Sequence, residues 1–524
     1  MHNLTTLNSS TWETNKLIPA SKAPSHLQVY DILHASYDEQ LAITTFAGLV
    51  NRRQPQVYLL ANDDAASWLE TTLSHVPREV AATKDGDVLE ALLETYRERC
   101  EGLIIYDPNI IDSVNVATTM AGLFDGIVVS AQQAELLQKR GMPVLADLRR
   151  YQWRNRLAAY HWATQHLLRR ASKQLVAGIN PRIPGALRSF LVANRAFVYW
   201  LNPRPALPGI RNGFHTERGV MRNILNHFEP GTPHFGWLVD EGFGVRMTSK
   251  AALPVIPSDY FFNLEVWSAI QPQVGQTPQV RTQNTPTESS PAIKSEAKVY
   301  VSFTISDGDN LQYSQHKMHK HWQDPARGKF PLGWTISPVL TQAAPSLAAY
   351  YQQSATNNDE LIAGPSGAGY IVPSRWPGKY LPNFFDLTGK LMQVMGLSIL
   401  TALDATQDMM FQNVGLQEQY VQGLKPYGLR GILSGSGQTK SSYRIIQGIP
   451  VIQNLGLAKS VEHTLQLIHG APSPQATTPQ FLSVYIHAWS MTPSDIQKAI
   501  AALGNQYIVV KPGQLLDLIA ETSR

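Results

Sequence analysis

From Val299 to the C-terminus, short apolar runs recur with a regularity that few folds accommodate. Eight stand out: Val299–Ile305, Leu332–Ile336, Glu360–Ala363, Ser398–Leu403, Gly431–Leu433, Val451–Asn454, Leu482–Ile486 and Tyr507–Val510. Helical patterns follow most of them, among them Asn310–His321, Ala344–Ser354, Asn383–Met395 and Pro493–Leu503. Apolar runs this short, alternating with helices, read as parallel strands buried on both faces. Eight βα units in about 225 residues fit the lower size range of a (β/α)8 barrel. A seven-stranded or incomplete barrel is the nearest alternative, and an open doubly wound sheet is a further one.

The same alternation fills residues 27–150. Expected strands Val57–Leu60, Leu103–Tyr106, Gly126–Val129 and Pro143–Ala146 sit between helical stretches Gln40–Val50, Ala65–Leu73, Val88–Arg99 and Gln132–Lys139. That predicts an open parallel α/β region. It carries neither a GxGxxG nor a GxxxxGK[ST] phosphate loop, so dinucleotide binding is not expected. Residues 151–270 form a second α/β region. It opens on an expected helix from Trp153 to Lys173, whose Arg154, Arg156, Arg169, Arg170 and Lys173 read as a solvated basic face. Its strand Phe235–Val239 ends in Asp240 and Glu241. Gln271 to Lys298 is Gln-, Pro-, Thr- and Ser-rich and cannot bury enough apolar surface to offset ordering, so it reads as a flexible linker. The expected organisation is a polar tail (1–26), an α/β domain (27–150), a second α/β region (151–270), the linker (271–298) and a barrel-like domain (299–524).

Composition narrows the function classes. Only 16% of the 524 residues are charged and 43% are hydrophobic, which supports large cores. Lys and Arg number 44 against 40 Asp and Glu, too even for a dedicated nucleic-acid binder. One cysteine, Cys100, excludes intrachain disulfides and cysteine-based zinc sites. Residues 1–24 lack the positive start and apolar stretch of a secretory leader, which gives a cytoplasmic location by default. No run of ~18 apolar residues occurs, so membrane insertion is not expected. Oligomeric state has no sequence signal.

In barrels of this kind chemistry gathers where strands end and loops converge. Here those ends are polar: Ser306-Asp307-Gly308-Asp309-Asn310 after the first expected strand, Ser337 after the second, and Gly364-Pro365-Ser366 leading to Tyr370 after the third. Asp404 follows the fourth, Ser434-Gly435-Ser436 the fifth, Asn454 the sixth, His487-Ala488-Trp489 the seventh and Lys511 the eighth. Asp307, Asp309 and Asp404 are the candidate catalytic carboxylates; Asp240, Glu241, Asn310, Ser366, Tyr370, His487 and Trp489 are the candidate substrate contacts. Asp and Asn at such places also make turns and helix caps. His316, His319 and His321 lie close together, but no HExxH pattern forms and no metal or other cofactor is expected. No GxSxG elbow occurs; Gly435-Ser436-Gly437 is a shorter match that reads as a loop.

Gly367-Ala368-Gly369-Tyr370-Ile371-Val372-Pro373 resembles the signature of the GxGYxYP family, departing from it only where Val372 replaces the second Tyr. Val301 to Gln312, Gly236 to Glu241, Pro257-Ser258-Asp259, Asn263-Leu264 and Leu41 to Arg52 resemble further segments of that family in the same order. The resemblance spans roughly Leu27 to Leu518. It implies carbohydrate processing, with glycoside hydrolysis as the expected activity and a carbohydrate as the expected ligand. The catalytic assignments above rest on strand-end placement rather than on the family. Two alternatives stand beside hydrolysis. Leu482 to His487 and the last strand are similar to the close of polysaccharide deacetylase barrels, which hold a metal with an Asp and two His; their His-x-x-x-His pair is missing here. The polar ring could equally hold a carbohydrate without cleaving it.

Overall fold

The computed structural model describes residues 11–83, 86–205, 216–272, 296–404, 411–438, 442–471 and 478–523. Most of the expected linker, residues 273–295, and the first ten residues of the expected tail lie outside them. The described residues fall into two compact units that divide near residue 273, the first also taking in Gln342–Ser346.

In the first unit the parallel alternation is carried by three short sheets. β1 (Leu27–Asp31) lies between β2 (Val57–Leu60) and β3 (Arg78–Val80). β4 (Gly102–Ile105) lies between β5 (Gly126–Val129) and β6 (Val144–Asp147). The third sheet runs in the order β10-β9-β7-β8, with β7 at Val176–Gly178, β8 at Phe197–Tyr199, β9 at His234–Gly236 and β10 at Val255–Pro257. Every pairing is parallel. The helix expected over Trp153–Lys173 is shorter, Arg156–His166, and Asn155 sets its start by accepting from the Ala158 amide. Its Arg156 is no free surface cation: it pairs with Glu217 at 2.7 Å.

The second unit closes a ring of seven parallel strands: β11 (Val299–Ile305), β12 (Leu332–Ile336), β13 (Asp359–Ala363), β14 (Ile399–Ala402), β15 (Gly431–Gln438), β17 (Ile449–Ala458) and β18 (Gln480–Ile486). β18 returns to β11 along its whole length, Val299↔Gln480 to Ile305↔Ile486, and β12 joins β11 at Thr304 and Ile305. The eighth expected strand, β19 (Tyr507–Val509), is present but is not a stave. It pairs with β11 at Val299–Val301, so one edge of β11 is shared, β19 below and β12 above. β16 (Tyr443–Ile446) adds an antiparallel hairpin to β17. Gly435-Ser436-Gly437, expected as a loop, continues β15 through a register shift after Ser434, with Gly435 at φ +66°.

An apolar layer seals the lower end of this barrel. Tyr300, Ile362, Ile399, Leu433, Ile452 and Phe481, one from each of six staves, pack with Leu515, Leu516, Leu518 and Ile519 of the closing helix Pro512–Thr522. Side chains alternate along a strand, so Ser302 and Thr304 share the face of Tyr300, and Ser483 and Tyr485 that of Phe481. The inward face thus turns from apolar to hydroxyl-bearing on the way to the C-terminal ends.

Candidate functional site

The turn after β11 is shaped by close backbone packing. Gly308 donates its amide to Thr335 Oγ1 at 2.9 Å, and a Cβ on it would run into the Thr335–Ile336 peptide. A Cβ on Gly364 would in turn strike the Gly308 carbonyl carbon and the Asp309 nitrogen. Three strand ends therefore meet backbone against backbone, which only glycine allows, and the two aspartates flank that contact. Asp307 itself sits at φ +71°, the left-handed region that Asp tolerates better than most residues.

Both oxygens of Asp307 accept hydrogen bonds. Ser306 Oγ donates to Oδ2 at 2.5 Å, and Trp489 Nε1 donates to Oδ1 at 3.0 Å. Ser306 Oγ also accepts from the Ala488 amide at 3.2 Å, tying the end of β11 to the segment after β18. Trp489 is 47% exposed, an unusual state for an indole in a well-packed chain, and stands edge-on to Tyr313 with centroids 6.1 Å apart. His487 is half-buried at the end of the same strand, its Nδ1 2.6 Å from Ser490 Oγ.

Two side chains that the sequence did not single out complete the group. Tyr313 and Tyr485 are fully buried or nearly so, and neither hydroxyl has a hydrogen-bond partner. Burial raises both phenols well above their ordinary pKa; the charge of Asp307 adds to this for Tyr313, and those of Asp307 and Asp309 add to it for Tyr485. Asp307, Asp309, Tyr313, Tyr485 and Trp489 are thus one neighbourhood.

The other expected site residues are held by contacts of their own. Asp404 is buried at the end of β14, where Oδ1 accepts from the Ser374 hydroxyl at 2.9 Å and amide at 3.3 Å. Its charge adds to the burial that raises the Tyr420 phenol above its ordinary pKa. Asn310 caps the short helix Leu311–Gln315 by accepting from the Tyr313 amide. Ser366 is fully buried and brackets Leu403, donating to its carbonyl at 3.1 Å and accepting from its amide at 3.3 Å. Tyr370 is buried within the signature loop, where Gly367 and Gly369 take φ of +131° and +115°. Val372, standing where the signature has its second Tyr, has no exposed surface, so that position packs rather than faces a ligand.

Asp240 and Glu241 belong to the first unit. Asp240 caps the helix Glu241–Lys250 through the Phe243 amide and pairs with Arg204 at 2.8 Å. Burial pushes its carboxyl up, but the Phe243 amide and the Arg204 guanidinium outweigh that and leave it below the usual range. Glu241 opens the helix. A cavity of about 440 Å³ in this unit is lined by Asn109, Asp112, Asn155, Arg156 and Glu217 among others, and two of its charges are spent on the Arg156–Glu217 pair. Of the three histidines expected near one another, His321 is buried with both ring nitrogens unpartnered, and His319 lies 2.8 Å from the Gln323 amide nitrogen. Among the described residues no group of three or more His, Cys, Asp or Glu side chains is placed to hold a metal ion, and no helix is long and apolar enough to cross a membrane.

Comparison with known proteins covers nearly the whole chain. The first, second and third GxGYxYP N-terminal domains match residues 26–98, 100–171 and 173–269, and the "GxGYxYP putative glycoside hydrolase C-terminal domain" matches residues 297–520. A solved structure described as a "putative hydrolase from Bacteroides thetaiotaomicron VPI-5482" superimposes with a TM-score of 0.79 at 23% identity, covering 97% of each chain. It shares the fold. A "putative polysaccharide deacetylase from Mycobacterium smegmatis" reaches a TM-score of only 0.31 at 8% identity, over 44% of this chain and 92% of that one. The search of curated proteins found no match.

Proposed function

The chain belongs to the GxGYxYP family, and from that premise we propose that it is a glycoside hydrolase whose reaction takes place on the turn after β11. The observation that carries this reading is the exposed Trp489 ring whose indole N–H holds Asp307. A sugar lying against that ring lies beside the carboxylate as well.

Glycosidic cleavage needs one carboxyl to protonate the leaving oxygen and a second to act as nucleophile or base. Asp307 accepts at both oxygens, as an ionised carboxylate does, and takes the second role. Asp309, two residues on and close enough to bear on the same buried Tyr485, takes the acid role. Trp489 supplies an apolar face for the sugar ring while its N–H stays satisfied, and His487 stands at the same rim. The metal-dependent alternative requires a ligand cluster that the described residues do not assemble.

The test is a panel of aryl glycosides and oligosaccharides hydrolysed by the parent protein, Asp307→Asn and Asp309→Asn. Each substitution is expected to lower kcat at least 100-fold, in line with loss of an acid–base group, with a Tm within ~2 °C of the parent. Undiminished turnover by either variant removes that residue from the mechanism. Glycan binding with no cleavage by the parent protein identifies a binding protein instead.

A further inference from the structure

A buried hydroxyl with no partner gives up its hydration and gains no bond in return. Among the several that the barrel holds are two phenols near the acidic turn, on Tyr313 and Tyr485. Neither hydroxyl is needed for packing, since a phenylalanine would fill the same space. Tyr485 points inward from β18, directly across from Thr304 in the β11–β18 register, and the Thr304 hydroxyl is likewise buried and unpartnered. Tyr313 lies against Trp489, which holds Asp307. The orphaned phenols thus lie close to Asp307 and, through Tyr313, to Trp489, and the helix-sealed apolar layer closes the barrel beneath.

We infer that the Tyr485 hydroxyl, with that of Tyr313 beside it, is a substrate-binding group that donates to a hydroxyl of the sugar bound between Trp489 and Asp307. This deepens the hydrolase reading and rests on it. The donor character is secure, because burial and the neighbouring carboxylates keep both phenols protonated. The charges that bear on the two phenols are acidic, so the sugar unit taken here is a neutral, hydroxyl-bearing one rather than a uronic acid or a sulfated sugar. A site built to bond a substrate hydroxyl rejects the analogue that lacks it, because its own polar group is then left unpaired.

The experiment compares the parent protein with Tyr485→Phe on a glycoside it cleaves and on the monodeoxy analogues of that glycoside. Tyr485→Phe should lose about 10- to 100-fold in kcat/KM on the parent glycoside, as expected for one lost substrate hydrogen bond. On one deoxy analogue the two proteins should then be equal. Its Tm should match or exceed that of the parent protein, since a hydroxyl without a protein partner is removed. Tyr313→Phe provides the same comparison should the first variant not fold. No loss on the parent glycoside, or the same loss on every analogue, overturns the inference: the hydroxyls then meet water or act only through packing. These outcomes stand apart from failure of the hydrolase reading, which shows as no cleavage of any glycoside by the parent protein.

Discussion

Asp307 is set by its neighbours on both sides: Ser306 and Trp489 satisfy its oxygens, and Gly308 lets the chain leave against the Thr335–Ile336 peptide. The same unit shows what an unsatisfied group costs. His321 is buried with neither ring nitrogen bonded, and burial first, then the Lys317 charge, lowers its pKa from 6.5 to about 4, with Asp324 and Asp495 opposing. Between those values the unfolded chain takes up a proton that the folded chain refuses. Stability is therefore intact above pH 6.5 and falls as pH drops towards 4, by up to about 3 kcal/mol. His321→Leu should flatten that slope in urea titrations at pH 7, 5 and 4, with stability at pH 7 close to the parent value. An unchanged slope would show that His321 titrates normally. At this scale a polar strand end makes a residue legible as a candidate: the strand-end rule alone picks out Asp307 and Asp309, and Asp404 with them. It does not pick out Tyr313 and Tyr485, because a tyrosine in an apolar stretch looks like any core aromatic. Only the fold reveals that its hydroxyl has no partner.

Elements were readable where burial is two-sided. The staves of the second unit are short apolar runs, and each appears within a few residues of its expected place. The helix Ser113–Phe124 went unread because ten of its twelve residues are buried, leaving no polar face to set a period. Asn310–His321 was expected as one helix. It breaks at His316, whose φ of −123° and ψ of −77° are not helical, into Leu311–Gln315 and Lys317–Trp322. The closing helix Pro512–Thr522 carries a load its sequence does not show. Leu516 packs over Gly431, where a Cβ would collide with it, and joins the apolar layer across the barrel. Leu516→Ala should cost about 2–5 kcal/mol by urea unfolding, with the reaction intact at low temperature. A loss under ~1 kcal/mol would mean that the layer collapses to fill the space and the helix is a lesser seal.

For the whole molecule, a barrel is legible in the succession of strands, with seven staves as the near alternative to eight, and the strand that stays outside the ring is not. Which strand completes the ring depends on β11 dividing one edge between β12 and β19, a long-range arrangement that no local pattern encodes. The same holds for the site. Strand-end polarity named a ring of candidates, but the fold sorts them: Asp307, Asp309 and Trp489 converge with two orphaned tyrosines, while Ser366 and Asn310 hold backbone and Asp240 caps a helix. The family match gives the chain its class and the solved neighbour shares its fold, and the place proposed for the reaction rests on this convergence. The most direct test is a crystal structure of Asp309→Asn soaked with a glycan that the parent protein cleaves. An intact sugar should be found stacked on Trp489, with its glycosidic oxygen within hydrogen-bonding reach of residue 309 and its anomeric carbon facing Asp307. A glycan bound away from Trp489, or one cleaved in the crystal despite the substitution, would contradict the proposed mechanism.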